Sequence, residues 1–129
     1  MRGNRLYKKE KLCSHTAIER LFSHSDENKK SIAYPLRLLW NKSDGDYLPN
    51  QFIIVVPKRR LKHAVDRVLM RRRIREAYRL NRHKYLGDGV SSLRLAFVYV
   101  ADCCRSYAAI EKSLQKLLKN VVEDFQEAR

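Results

Sequence analysis

The first regular run of apolar positions in the chain is short and has a helical period. Ile18, Leu21 and Phe22 lie three and four residues apart, which is the spacing of one helix face. This pattern predicts an amphipathic helix over residues 14–24. Thr16 stands three residues before a glutamate, which is the spacing of a capping box, so we expect Thr16 to cap this helix.

Three later stretches have the composition of β-strands. Residues 31–40 contain Pro35, which cannot donate to a ladder, so we expect an edge strand or two short strands broken at that proline. Residues 51–56 are almost continuously apolar, which predicts a central strand. Residues 93–100 predict another buried strand. Asp44-Gly45 is a turn signal between the first two stretches.

The helical period returns twice in the second half of the chain. From about Asp66 onward, Met70, Ile74 and Tyr78 recur every four residues and predict a helix with one buried face. Asp66 is a suitable N-cap, because its carboxylate can accept free amides and its charge suits the positive helix end. Residues 107–125 predict a second amphipathic helix. Its apolar face consists of Ile110, Leu114, Leu117, Val121 and Phe125.

These elements follow one another in the order α-β-β-β-α-β-α when residues 31–40 are counted as two strands. We therefore expect an α+β fold in which helices pack on one sheet. A chain of 129 residues is long enough for a single core, so we expect one domain over residues 1–129, with residues 1–13 as a basic arm. The content of 44% hydrophobic and 33% charged residues is typical of a globular chain.

The N-terminal stretch, the length of the apolar runs and the cysteines indicate the cellular compartment. The N-terminal stretch lacks the apolar core of a signal peptide, and no apolar run approaches the roughly 18 residues of a membrane span. We therefore expect a cytoplasmic protein. Cys13, Cys103 and Cys104 are odd in number and have no C-x-x-C spacing, which argues against a disulfide framework and a metal site.

Positive charge is concentrated between Lys58 and Lys84, where twelve Lys and Arg residues face only two acids. The chain as a whole has a formal net charge of +14. Arginines recur at helical spacing on a face away from the apolar one and predict a column of solvated guanidinium groups. This column consists of Arg67, Arg71, Arg75, Arg79 and Arg82.

A solvated helix face normally mixes charges of both signs, because like charges four residues apart repel each other. This segment has almost no acid to offset that repulsion, which favours a polyanionic partner. The excess of Arg over Lys favours phosphate, since the planar guanidinium group binds phosphate in bidentate fashion. The segment therefore predicts nucleic-acid binding.

The acidic residues give no sign of catalysis by the polypeptide. They are dispersed, and the chain contains no D-x-D, H-x-E, P-loop or G-x-S-x-G motif. A nuclease acting alone would need clustered carboxylates for metal ions or a histidine pair. We therefore expect a binding protein, in which any bond cleavage is carried out by a partner.

With these elements placed, the chain resembles the protein subunit of bacterial ribonuclease P, as a divergent branch of that family. The resemblance rests on V-V-P-K-R-R at residues 55–60, A-V at residues 64–65, R-R-R-I-R-E-A-Y-R at residues 71–79 and I-E-R-L-F at residues 18–22. There are departures. R-V-L at residues 67–69 stands where the family has Arg-Asn-Arg. Lys62 replaces a usual glycine, and Ile18 replaces one of two aromatic residues.

The resemblance implies a two-layer α/β sandwich similar to the second domain of ribosomal protein S5, with a left-handed β-α-β crossover. It also implies a ribonucleoprotein endoribonuclease that removes the 5′ leader of precursor tRNA. The RNA subunit is the catalyst, and Mg²⁺, held mainly by RNA, is the cofactor. No catalytic residue, metal ligand, protein partner or membrane contact is implied for this chain.

The same resemblance assigns the binding residues. It implies that the RNA subunit is bound by Lys58, Arg59, Arg60, Arg67, Arg71, Arg72, Arg75 and Arg79. It implies that the leader lies in a cleft between the first helix and the sheet, against Ile18, Phe22 and Tyr34. From spacing alone, Phe22 and Ile18 fit a core position equally well.

Three other functions are compatible with a basic helix. A ribosomal or other structural RNA-binding protein would bind its RNA without stimulating leader cleavage. A duplex-DNA regulator usually offers Asn, Gln and Ser to base edges, whereas this helix offers almost only Arg, which suits phosphate and RNA shape. A helix lying on an anionic membrane would need the apolar face that we expect in the core.

Overall fold

The computed structural model describes residues 8–23, 28–42, 49–87 and 90–127. Within these residues the predicted order α-β-β-β-α-β-α is confirmed, preceded by a short 3₁₀ helix at Lys8–Glu10. The elements are α1 (His15–Phe22), β1 (Lys29–Ala33), β2 (Leu36–Lys42), β3 (Gln51–Val55), α2 (Ala64–Tyr85), β4 (Leu93–Tyr99) and α3 (Tyr107–Glu127). The predicted turn at Asp44-Gly45 and residues 1–7 of the basic arm lie outside the described residues.

The strands form one sheet in the order β1-β2-β4-β3. β1 pairs with β2 and β2 with β4 in antiparallel fashion, whereas β3 pairs with β4 in parallel. A turn at Tyr34 and Pro35 separates β1 from β2, so the two-strand alternative for residues 31–40 is the right one. Because β3 and β4 are parallel, α2 is the crossover between them. The left hand of that crossover stays a prediction.

The prediction that residues 51–56 form a central strand was wrong, because β3 lies at one edge of the sheet. Its apolar character has another cause. Phe52 belongs to the core on one face of the sheet and Ile53 packs against the core on the other. The outer edge is partly covered by the chain before α1, where the Leu12 amide donates to the Phe52 carbonyl at 2.9 Å. A continuously apolar strand therefore indicates apolar contacts on both faces of the sheet, but it does not predict whether the strand is central or at an edge.

The main core lies between one face of the sheet and the pair α2 and α3. Tyr78 of α2 is fully buried and packs its ring against Phe52 of β3 and Phe97 of β4, with centroid distances of 4.4 and 5.5 Å. The predicted apolar faces of both long helices are confirmed. Their fully buried residues are Met70, Ile74, Ala77 and Tyr78 on α2 and Ile110, Leu114, Leu117, Leu118 and Val121 on α3. Phe125 is partly buried at the margin.

A smaller core lies on the opposite face of the sheet, under α1. Ala17 and Leu21 of α1 pack with Leu12 onto Leu39 of β2 and Ala96 of β4. The sheet with α2 and α3 therefore forms the expected two-layer sandwich. α1 adds a short third piece that covers only part of the outer sheet face.

The predicted helix starts need correction. α1 is capped by Ser14, whose side chain accepts from the Ala17 amide at 3.3 Å, and Thr16 already lies inside the helix. α2 begins at Ala64, and its N-cap position is held by His63 without a side-chain hydrogen bond. Asp66 therefore sits in the first turn, where its charge still suits the helix dipole. Apolar periodicity locates a helix but leaves its ends open by a few residues.

Candidate nucleic-acid interface

The outer face of α2 and the turn before it carry the cationic groups that are free to meet a ligand. Lys58, Arg59, Arg71, Arg72 and Arg75 are all exposed. Within the described part of the chain, none of these five has a hydrogen-bond or ion-pair partner. Because the opposite face of α2 is fixed in the main core, the backbone that carries these side chains is held in place.

Hydrogen bonds order the turn at residues 57–62. The Arg60 and Leu61 amides donate to the Pro57 carbonyl at 3.0 and 3.3 Å, and Leu61 is buried. Arg67 of α2 reaches back to this turn, because its Nη1 donates to the carbonyls of Leu61 and Lys62, each at 2.9 Å. The guanidinium of Arg67 therefore shapes the turn that presents the neighbouring cations.

Two further arginines of the predicted set are paired with acids. Arg60 Nη1 lies 3.2 Å from Asp102 Oδ1, in the segment after β4. Arg79 Nε donates to Glu76 Oε2 at 3.0 Å, and its Nη2 donates to the other carboxylate oxygen. The hydrogen bond from Arg79 holds the pKa of Glu76 below its usual value, although desolvation opposes this. Both pairs are solvent-exposed, so a phosphate group can compete with the carboxylates for these guanidinium groups.

Arg82 does not belong to the solvated column in which the sequence analysis placed it. It is only 4% exposed and forms an ion pair with Glu10, with 2.6 Å between Arg82 Nε and Glu10 Oε1. Its Nη1 also donates to the Arg79 carbonyl at 2.7 Å. A signal for this was present, because Arg82 continues the four-residue series of Met70, Ile74 and Tyr78. Its acidic partner lies 72 residues away in sequence.

The three residues assigned to the leader cleft have different environments. Ile18 is half-buried and packs against the smaller core under α1. Phe22, four residues later on the same flank of α1, is 44% exposed. Tyr34 is 57% exposed in the turn between β1 and β2. Phe22 is therefore not a core residue, whereas Ile18 has a core role whatever else it contacts.

Tyr34 is held by Arg105, a residue that the sequence analysis did not single out. The Arg105 guanidinium lies over the Tyr34 ring at 5.0 Å from its centroid, and Nη2 donates to the tyrosine hydroxyl at 2.8 Å. Arg105 lies between β4 and α3, in a segment without apolar periodicity, so spacing gave no signal for it. The pair presents a cation and an aromatic ring together.

A strip of the sheet lies beside α1 on the same face. The strand register aligns Ile32, Arg37, Val98 and Val55 in one row across all four strands. The next row contains Leu39 and its neighbours, onto which α1 packs. Ile32 is 66% exposed, so the strip is open to solvent at its β1 end.

The described residues contain no group of three or more His, Cys, Asp or Glu side chains placed to share a metal ion. Among the helices in the described part of the chain, none is long and apolar enough to span a membrane. The face of α2 that carries Met70, Ile74, Ala77 and Tyr78 is fully buried in the main core.

The fold and this surface define an α+β protein that presents a rigid, cationic helix to a polyphosphate. A family model described as Ribonuclease P matches residues 6–122. The chain belongs to the ribonuclease P family. It is 32% identical to the ribonuclease P protein component of Porphyromonas gingivalis over 118 residues, which covers 88% of this chain and 83% of the relative. The protein component of Chlorobaculum tepidum is 29% identical over 136 residues, with coverages of 95% and 86%.

Solved structures show the same fold. The ribonuclease P protein of Staphylococcus aureus superposes with a TM-score of 0.68 at 15% identity, covering 88% of this chain and 96% of that structure. The protein of Thermotoga maritima gives a TM-score of 0.65 at 20% identity, with coverages of 86% and 96%. The expected fold class is therefore confirmed.

Proposed function

We propose that this chain acts as the protein subunit of a ribonuclease P holoenzyme. It binds the catalytic RNA subunit and the 5′ leader of precursor tRNA, and it assists the endonucleolytic removal of that leader. The observation that carries the proposal is the set of exposed cations on α2 and the turn before it, which have no partner in the described part of the chain, in a member of this family. In this proposal the chemistry belongs to the RNA subunit, as the family membership implies.

For the RNA subunit, we propose two kinds of contact residue. Lys58, Arg59, Arg71, Arg72 and Arg75 meet phosphates directly, because no described group competes for them. A second group, Arg60, Arg67 and Arg79, contributes charge while it is hydrogen-bonded within the protein. Pre-organisation of this kind lowers the entropy lost on binding.

For the leader, we propose the surface made by Ile18 and Phe22 of α1 with Tyr34. The exposed Phe22 ring supports this role, because a base can stack on it at a gain of about 1–3 kcal/mol. Stacking demands no particular base, which suits leaders of differing sequence. Ile18 supports the helix from the smaller core and offers apolar contact at the edge of the cleft.

We further propose that the whole chain works as a single RNA-binding domain in the cytoplasm, without a required protein partner. Mg²⁺ is a cofactor of the holoenzyme in this proposal. It takes its ligands mainly from RNA in this proposal. No step of the reaction is assigned to a side chain of this protein.

Reconstitution with the cognate RNA subunit tests the proposal. Cleavage of precursor tRNA is measured at low Mg²⁺ with wild type, with Arg71→Ala/Arg75→Ala, and with Lys112→Ala/Lys116→Ala as a control of equal charge loss on the exposed face of α3. We expect wild type and the control to stimulate cleavage at protein concentrations where the α2 variant does not. A protein that binds the RNA without stimulating cleavage would fit a structural RNA-binding protein instead.

A further inference from the structure

A groove of about 420 Å³ runs between the outer face of α2 and the start of α3. It is lined by Arg72, Arg73, Arg75, Glu76, Arg79 and Tyr107. Its volume lies within the range of about 300–1,000 Å³ that is usual for small-ligand sites. The lining combines four guanidinium groups with one carboxylate and one aromatic ring, which is a composition suited to an anionic, planar ligand.

Tyr107 is the aromatic wall of this groove, and a hydrogen-bond network fixes it. Its hydroxyl donates to Glu111 at 3.0 Å, and Glu111 also accepts from Asn81 at 3.1 Å. Asn81 is 5% exposed and is anchored on α2 by its bond to the Ala77 carbonyl at 2.7 Å. The half-buried ring also packs against the main core. Because a hydrogen bond and core packing already fix the Tyr107 ring, it loses little conformational entropy when a ligand stacks on it.

Two of the four guanidinium groups of the groove are hydrogen-bonded within the protein. Arg73 Nη1 donates to the Arg105 carbonyl, and Arg79 is paired with Glu76. Arg72 and Arg75 have no partner within the described part of the chain. The groove therefore contains two guanidinium groups that have no partner in the described part of the chain, beside the Tyr107 ring that lines it.

We propose that the groove binds one unpaired nucleotide of the RNA subunit, with its base against Tyr107 and the phosphates on its 5′ and 3′ sides on Arg72 and Arg75. The proposal rests on the proposed function and adds a specific contact to it. Four guanidinium groups against one carboxylate favour RNA over a protein segment as the occupant. Stacking on a phenol ring accepts any base, so the site selects an unpaired nucleotide by shape and charge.

Photo-cross-linking of the wild-type protein to RNA subunit that contains 4-thiouridine tests the contact directly. Trypsin cuts after Arg105 and Lys112, so Tyr107 lies in the peptide of residues 106–112. Tyr85, another half-buried tyrosine at the margin of the main core, lies in the peptide of residues 85–94. We expect cross-linked nucleotide on the Tyr107 peptide. Its absence there, with cross-links on other peptides, would overturn the proposal.

Binding of the RNA subunit by variants supplies the second test. We expect Tyr107→Leu to weaken binding about 5- to 150-fold, the equivalent of one lost stacking contact. Tyr107→Phe keeps the ring and most of the affinity. Tyr85→Leu, the matched control, removes a tyrosine outside the groove and stays close to wild type. Equal affinities for Tyr107→Leu and Tyr85→Leu would overturn the proposal.

The salt dependence separates this proposal from the proposed function. The tyrosine carries no charge, so Tyr107→Leu should leave the slope of log affinity against log salt unchanged. Arg72→Ala should reduce that slope by about 0.7–0.9, the value of one phosphate contact. A wild-type protein that fails to bind the RNA subunit would overturn both proposals. Tight, salt-dependent wild-type binding without an effect at Tyr107 would overturn the groove alone.

Discussion

The arginines of α2 differ in what surrounds each guanidinium group, and these surroundings predict different roles. Arg75 is exposed, without a partner in the described part of the chain, whereas Arg82 is buried against Glu10. A buried ion pair contributes little net stability, but the loss of one partner leaves an uncompensated charge. Arg82 is therefore a structural residue that joins the 3₁₀ segment to α2.

We expect Arg82→Ala to lower the free energy of unfolding by about 3–5 kcal/mol, because it removes the buried guanidinium group from its ion pair with Glu10. Arg75→Ala, the same change on the exposed face, should alter it by less than about 0.5 kcal/mol. Urea denaturation measures both values. Similar losses for the two variants would contradict the assignment of Arg82 to the interior.

The Glu76–Arg79 pair predicts a pH dependence of stability. The pKa of Glu76 is lowered in the folded protein, so its contribution to stability is fully present above the unfolded value near 4.5. That contribution is lost as the pH falls through the folded pKa. The difference in melting temperature between wild type and Glu76→Gln should be constant from neutral pH to about pH 5.5 and shrink in more acidic solution. A difference that grows with acidification would mean that the sign is wrong.

Phe22 tests the leader cleft at the scale of one side chain. Phe22→Ala should weaken the binding of precursor tRNA to the holoenzyme by about 1–3 kcal/mol and leave mature tRNA unaffected, because mature tRNA has no leader to stack. Dissociation constants for both RNAs measure this. Leu80→Ala is the control, since Leu80 is 40% exposed on α2, close to the 44% of Phe22. Equal losses for the two RNAs would remove Phe22 from the cleft.

At the scale of elements, α2 has a buried face and a binding face that can be perturbed separately. Ile74→Ala should lower the free energy of unfolding by about 2–5 kcal/mol, because the isoleucine is fully buried in the main core. Arg71→Ala should weaken binding of the RNA subunit with little change in melting temperature. The reverse result would mean that the two faces of the helix are inverted.

Local periodicity was enough to predict the elements and the buried faces of the two long helices. It placed Met70, Ile74 and Tyr78 in the core, and the structure confirms this. It did not predict the interior position of Arg82, because that position depends on Glu10, 72 residues away in sequence. The edge position of β3 also escaped prediction, since strand order is set by pairing between distant segments. For the candidate site, the sequence predicted the exposed cations but gave no signal for Arg105.

At the scale of the whole molecule, the structure separates two surfaces. One is the outer face of α2 with the turn before it, which carries the exposed cations that have no partner in the described part of the chain. The other is the flank of α1 with the open strip of sheet beside it. The main core under α2 and the smaller core under α1 hold these two surfaces on opposite faces of the same sheet. In the proposed function, the first surface binds the RNA subunit and the second binds the leader.

The salt dependence of binding to the RNA subunit tests the central claim most directly, because each phosphate contact releases counterions. The cations without a partner in the described part of the chain are Lys58, Arg59, Arg71, Arg72 and Arg75. If each of these five binds a phosphate, log affinity should fall with log salt with a slope of about −3.5 to −4.5, from 0.7–0.9 for each contact. Arg71→Ala/Arg75→Ala should reduce the magnitude of that slope by about 1.4–1.8, whereas Lys112→Ala/Lys116→Ala on α3 should leave it unchanged. A wild-type slope near zero, or equal slopes for the two double variants, would contradict the account.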